Sequence, residues 1–132
     1  MEKYTIEEIH YNLDIARDCL SEKFVSLVCK ALTYLDKKIV DKVSDKVLFI
    51  SSDIAGASYI PLKSEYTKDR KAIIFLSEFI LKNEEKEILK DILHEVAHFY
   101  LKHKINLNLA KEEINKQEQE AETLAIKWLN QK

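Results

Sequence analysis

Apolar residues recur at helical steps from the start of the chain. Ile6, Ile9, Leu13, Ala16, Leu20, Phe24, Leu27, Val28, Ala31 and Leu35 keep the spacing of one helical face. Thr5-Ile-Glu-Glu8, ahead of this run, is a capping box in which hydroxyl and carboxylate each take up a backbone N–H of the first turn. The pattern predicts one long helix or two in succession, with Ser21 as the breaking point. The period then changes. Val47-Leu-Phe-Ile50 and Ala72-Ile-Ile-Phe-Leu76 are apolar runs of strand length. A shorter strand is expected around Tyr59 and Ile60, ended or edged by Pro61, and Gly56 marks a loop or turn before it.

From Asn83 to Lys102 the helical period returns without a Gly or Pro, and Ile88, Leu89, Ile92, Leu93, Val96, Phe99 and Tyr100 share one broad face. The stretch from Lys111 to Lys132 is a further helix, with Ile114, Ala121, Leu124, Ala125, Trp128 and Leu129 at three- and four-residue steps. The expected fold is therefore α+β in a single domain of 132 residues: an N-terminal helical part (1–44), then a small, mainly antiparallel sheet and two helices (45–132).

The Asn83–Lys102 helix contains the run His94-Glu95-Val96-Ala97-His98. Residues i and i+4 stand one above the other on a helix, so both imidazoles can grip a single metal ion. Glu95 is rotated roughly 100° off their face. From there it can reach a water at the metal without being a ligand. On the helical wheel His94 and His98 fall roughly opposite the apolar face, so they are not expected in the core.

Two histidines hold zinc weakly, and a third ligand is needed. The C-terminal helix carries Glu112, Glu113, Glu118, Glu120 and Glu122. Glu120 and Glu122 sit at the margins of the apolar stripe, whereas Glu118 lies inside it, one turn before Ala121. A carboxylate in a buried stripe is costly unless it is paired or bound to a metal, so Glu118 is the choice and Glu122 the reserve. Ala121 and Ala125 are small enough to let this helix approach the His-bearing one closely.

Composition narrows the function. Hydrophobic residues make up 46% and charged residues 33%, as in ordinary globular proteins. The net charge of −2 and the lack of a basic cluster argue against direct nucleic-acid binding. The start is charged and lacks the apolar core of a signal peptide, and no apolar run has the length of a membrane span, so the cytoplasm is the expected compartment. Cys19 and Cys29 lack metal-site spacing, cannot pair along one continuous helix, and read as small core residues. His103 falls toward the apolar side of its helix and reads as a capping or surface residue near the helix end; His10 reads as surface or packing.

The order of an aliphatic strand (KAIIFLSEFI), the helix EEKEILKDILHEVAHFYLKH and the segment EQEAETLAIKWL resembles the ImmA/IrrE-type metallopeptidase domain over about residues 45 to 130. The resemblance implies a zincin-like peptidase core of the His-Glu-x-x-His type. It assigns His94, His98 and Glu118 to one zinc ion, or another first-row divalent ion, and Glu95 to catalysis. Two departures stand out: Ala97 where a glycine is frequent, and Leu124 where an aromatic residue is usual. The family's substrates imply a helix-turn-helix repressor of a mobile element, prophage or stress regulon as the protein partner. The Ala72–Leu76 strand is expected at a sheet edge, where an extended peptide could be held by strand addition. Tyr59 and Tyr66 are weak candidates for stabilising an oxyanion, and Tyr100 is expected to point toward the apolar face. A different class stays open: a non-catalytic repressor- or toxin-binding protein with a structural or regulatory metal. A metal-dependent hydrolase of a non-peptide bond is a third.

Overall fold

Thr5 and Glu8 form the capping box that their spacing predicts. In the computed structural model, which describes residues 2–12, 19–53, 57–62, 70–104 and 108–131, Thr5 N–H donates to Glu8 Oε1 at 3.0 Å and Glu8 N–H to Thr5 Oγ1 at 3.2 Å. They open α1, Ile6–Asn12. The long apolar run does break at Ser21, whose hydroxyl accepts Phe24 N–H and caps α2, Glu22–Leu32. Leu13 and Ala16 of that run lie outside the described residues, as do Gly56 and its expected turn. A helix the periodicity does not show, α3 (Lys37–Lys46), follows; Val40 and Val43 are its buried apolar residues, too few for a readable stripe.

The three strands are β1 (Val47–Ser52), β2 (Ala57–Pro61) and β3 (Ala72–Ser77), in the order β1-β3-β2. The sheet is mixed, which corrects the antiparallel expectation: β1 runs parallel to β3 and β2 antiparallel to it. After β1 the chain lays β2 one place away and leaves a slot that β3 then fills. β3 is thus the central strand and not an edge, so the peptide-holding role expected of it is ruled out: its backbone groups are already paired on both sides. Its near-continuous apolar run suits burial on both faces, whereas β2 ends in Pro61, which the ladder tolerates only at an edge. Phe49, Ile74 and Tyr59 are register partners across the sheet and form one buried row.

A 3-10 turn at Glu78–Lys82 leads into α4, Glu85–Tyr100, and the chain closes with α5, Lys111–Asn130. α4 touches α2, β2 and β3 as well as α5. Ile92, Leu93 and Val96 are completely buried in it, each contributing about 1.5–3 kcal/mol of apolar burial. The close approach of α5 occurs as its alanines suggest: Ala121 and Ala125 are fully buried. Trp128 packs edge-on against Tyr100, with ring centroids 5.8 Å apart. Tyr100 itself is 46% exposed, contrary to expectation, because α4 is ending there and leaves the core.

Cys29 is buried in α2 as expected, with its sulfur 3.9 Å from His10 Nδ1, which gives His10 the packing role anticipated for it. Cys19 is exposed, contrary to its reading as a core residue, because it precedes α2 rather than continuing a helix. No helix among the described residues is long and apolar enough to cross a membrane.

Candidate metal centre

α4 and α5 bring His94, His98 and Glu118 together. His94 Nε2 lies 2.9 Å from Glu118 Oε2, His98 Nε2 lies 3.0 Å from Glu118 Oε1, and the two Nε2 atoms are 3.2 Å apart. Two nitrogens each about 2.0–2.1 Å from one tetrahedral ion would be about 3.3 Å apart, so the imidazoles already stand at ligand spacing. Glu122, the reserve candidate, is on the other side of His94: its Oε1 is 3.3 Å from Nδ1, and its second oxygen is 3.6 Å from Lys90 Nζ. It therefore orients the ring from behind instead of competing for the front.

The donor chemistry fits a cation. Glu122 can only accept, so its bond assigns a proton to His94 Nδ1 and leaves Nε2 facing a second carboxylate. With a carboxylate at each nitrogen, the His94 ring stands where a cation at Nε2 would be held by both the ring and Glu118. His98 favours the metal. Burial pushes its pKa down from 6.5 to about 4, so its ring stays neutral and keeps a lone pair to offer.

Two features of the site differ from the sequence reading. His98 is buried, 6% exposed, although it was expected away from the core, and Glu95 is buried to the same degree. The wheel considers one helix alone, whereas α4 is covered on several sides by α2, the sheet and α5. Conversely, Glu118 is not in a buried stripe, since its side chain is 57% exposed. The stripe of α5 is buried only from Ala121 onward, and its N-terminal half, with Ile114 at 43% exposure, extends beyond the core. The predicted residue is in place, but burial is not the reason.

Glu95 lines the same cleft, of about 540 Å³, as His94, His98 and Glu118. Removal from water pushes its carboxyl up to about 7; the neighbouring carboxylates of Glu118 and Asp91 add to the shift and His94 opposes it. Tyr59, on β2, also lines the cleft, but its hydroxyl donates to the backbone oxygen of His103 at 3.1 Å. Its ring stacks on His98 at 5.6 Å, and burial raises its pKa to about 12. It therefore positions His98 and has no proton free for an oxyanion. Tyr66 lies outside the described residues.

The residue the sequence reading missed is His103. It is 8% exposed, not at the surface, and its Nδ1 lies 2.8 Å from Nδ1 of His98. The one available signal was a further histidine five residues beyond a candidate ligand. No family model matches this chain, and neither the curated proteins nor the solved structures contain a match to it.

Proposed function

We propose that this chain is a zinc-dependent endopeptidase with a minimal zincin-like core, acting on a helix-turn-helix transcriptional repressor of a mobile element, prophage or stress regulon. The observation that carries the reading is the convergence of His94 Nε2, His98 Nε2 and the Glu118 carboxylate beside a buried Glu95 that is not among the ligands. His94, His98 and Glu118 would hold one zinc ion, or another first-row divalent ion, which polarises the scissile carbonyl and acidifies water.

Glu95 supplies the proton transfers. A carboxyl with a pKa near neutrality can take a proton from water and return it to the leaving amine, whereas a purely structural site has no use for such a group. The substrate would lie along β2, the edge strand whose Ala57, Ser58 and Tyr59 line the cleft. The repressor as substrate is supported by the likeness of the strand, the His-Glu-x-x-His helix and the Glu118–Ala125 segment to ImmA/IrrE-type peptidases. One observation favours the second reading, a non-catalytic repressor- or toxin-binding protein with a structural or regulatory metal. Tyr59, the tyrosine of the cleft, has its hydroxyl committed to His103.

Protein purified without chelator should carry about one zinc per chain. Incubated with a candidate helix-turn-helix repressor, the wild type should yield fragments. Glu95→Gln should keep the metal and lose ~10²–10⁴-fold in cleavage rate. Cleavage by Glu95→Gln at the wild-type rate would remove the catalytic assignment. A zinc-loaded wild type that binds the repressor and leaves it intact would establish the second reading. Glu118→Ala should weaken zinc binding far more than Glu122→Ala, because Glu122 touches only the rear nitrogen of His94; the reverse order would move the third ligand.

A further inference from the structure

We infer that His103 is a positioning residue of the metal centre: its Nδ1 accepts the Nδ1 proton of His98 and so holds His98 in the tautomer whose Nε2 lone pair faces the ion. This rests on the metal-site reading above and extends it to a residue outside the His-Glu-x-x-His motif.

Two imidazole nitrogens 2.8 Å apart share one hydrogen between them, so one ring donates and the other accepts. If His103 donated, neutral His98 would carry its own proton on Nε2, at the position a metal must take. If His98 donates, its Nε2 is free. His103 then carries its proton on Nε2, which lies 3.4 Å from the acceptor Oε1 of Glu120. The second arrangement is consistent at each link from Glu120 through His103 and His98 to the ion. A ligand histidine whose other nitrogen donates to a fixed acceptor is the usual way proteins orient metal-binding imidazoles.

The fold builds this acceptor deliberately from the end of α4. Lys102 adopts φ 57°, the left-handed conformation that ends helices. Lys102 N–H donates to Phe99 O at 3.1 Å, and His103 N–H reaches back to His98 O at 3.0 Å. These two bonds are a Schellman motif, which folds the residue after the left-handed one back over the residue five before it. That junction commonly carries an apolar contact, and here it carries the bond between two imidazoles. Other elements hold the same spot. Tyr59 donates to His103 O, while Lys104 N–H and O are bonded at 3.0 Å each to the side-chain amide of Gln117 on α5. Burial of both rings keeps water from replacing either partner.

Zinc affinity, read by competition with a chromophoric chelator, tests the inference without reference to catalysis. His103→Leu cannot accept the proton and should bind zinc ~10–100-fold more weakly. His103→Asn, whose side-chain oxygen can accept it, should recover most of that loss. The cobalt-substituted His103→Leu protein should also show altered visible absorption bands, which a change of stability alone would not produce. Glu120→Ala, at a half-exposed position, should weaken binding severalfold and serves as the test if His103→Leu does not fold. Zinc affinity within about twofold of wild type in His103→Leu, or in Glu120→Ala should the first be unfolded, would overturn the role of His103 and leave the metal site standing. A wild type that takes up no zinc would overturn the metal site itself and this inference with it.

Discussion

Glu95 and His98 stand side by side in the cleft with opposite electrostatic consequences. Glu95 has its pKa raised on folding, from 4.5 to about 7, chiefly by burial. Between those values the folded chain keeps a proton that the unfolded chain has released, so stability falls as pH rises through that window. His98 has its pKa lowered from 6.5 to about 4, again chiefly by burial. There the unfolded chain binds a proton that the folded one refuses, so stability falls as pH drops from 6.5 toward 4. In the presence of a chelator, Glu95→Gln removes only the first effect. Its stability relative to wild type should therefore increase by about 2 kcal/mol between pH 5 and pH 7, measured by urea unfolding; an unchanged difference would contradict the burial of a titrating carboxyl. The identities of His94, Glu95 and His98 were readable from spacing alone, because i and i+4 on a helix share a face wherever that helix is packed. The burial of Glu95 and His98 was not readable, since it depends on what covers α4.

α4 shows where local pattern stops being informative. Its apolar face, its lack of helix breakers and its approximate length are all legible, and Ile88, Leu89, Ile92, Leu93 and Val96 are buried as the period requires. Its end is not legible, because a lysine occupies the left-handed position where glycine is the usual signal. That unmarked ending is why His103 reads as a surface or capping residue when it lies against His98. Lys102→Gly should relieve the strain and raise stability by up to ~1 kcal/mol, with zinc affinity unchanged, as thermal unfolding and chelator competition would register. Lys102→Pro should do the opposite, since proline fixes φ near −65° and would unmake the turn that returns His103 to His98. In α5 the stripe that singled out Glu118 continues on paper to Ile114, yet burial begins only at Ala121. The position of Glu118 on the helix face was inferable from the stripe, but its exposure depends on how far α5 extends beyond its neighbours.

The two helices that carry the candidate ligands are joined by packing at one end and by the His94–His98–Glu118 cluster at the other. Ala121 and Ala125 are fully buried, so an added side chain there must push α5 away. Ala121→Leu should cost about 1–3 kcal/mol and also weaken zinc binding, as measured by unfolding and by chelator competition, because Glu118 lies one turn from the contact. Zinc at ~1,000 times its dissociation constant should stabilise the folded chain by about 4 kcal/mol, and a chelator should reverse the gain. A melting temperature indifferent to both would mean that the ligands do not converge on an ion. Helical and strand periods, the capping box, the break at Ser21 and the places of the candidate ligands along each helix were all written in the chain, because each depends on spacings of a few residues. The parallel pairing of β1 with β3, the edge position of β2, the burial of His98, the meeting of His103 and Tyr59 against it and the contact of Glu120 with His103 were settled by long-range packing. Each of these joins segments distant in sequence or turns on one unmarked left-handed residue, and no local spacing encodes which of the available neighbours a side chain will meet.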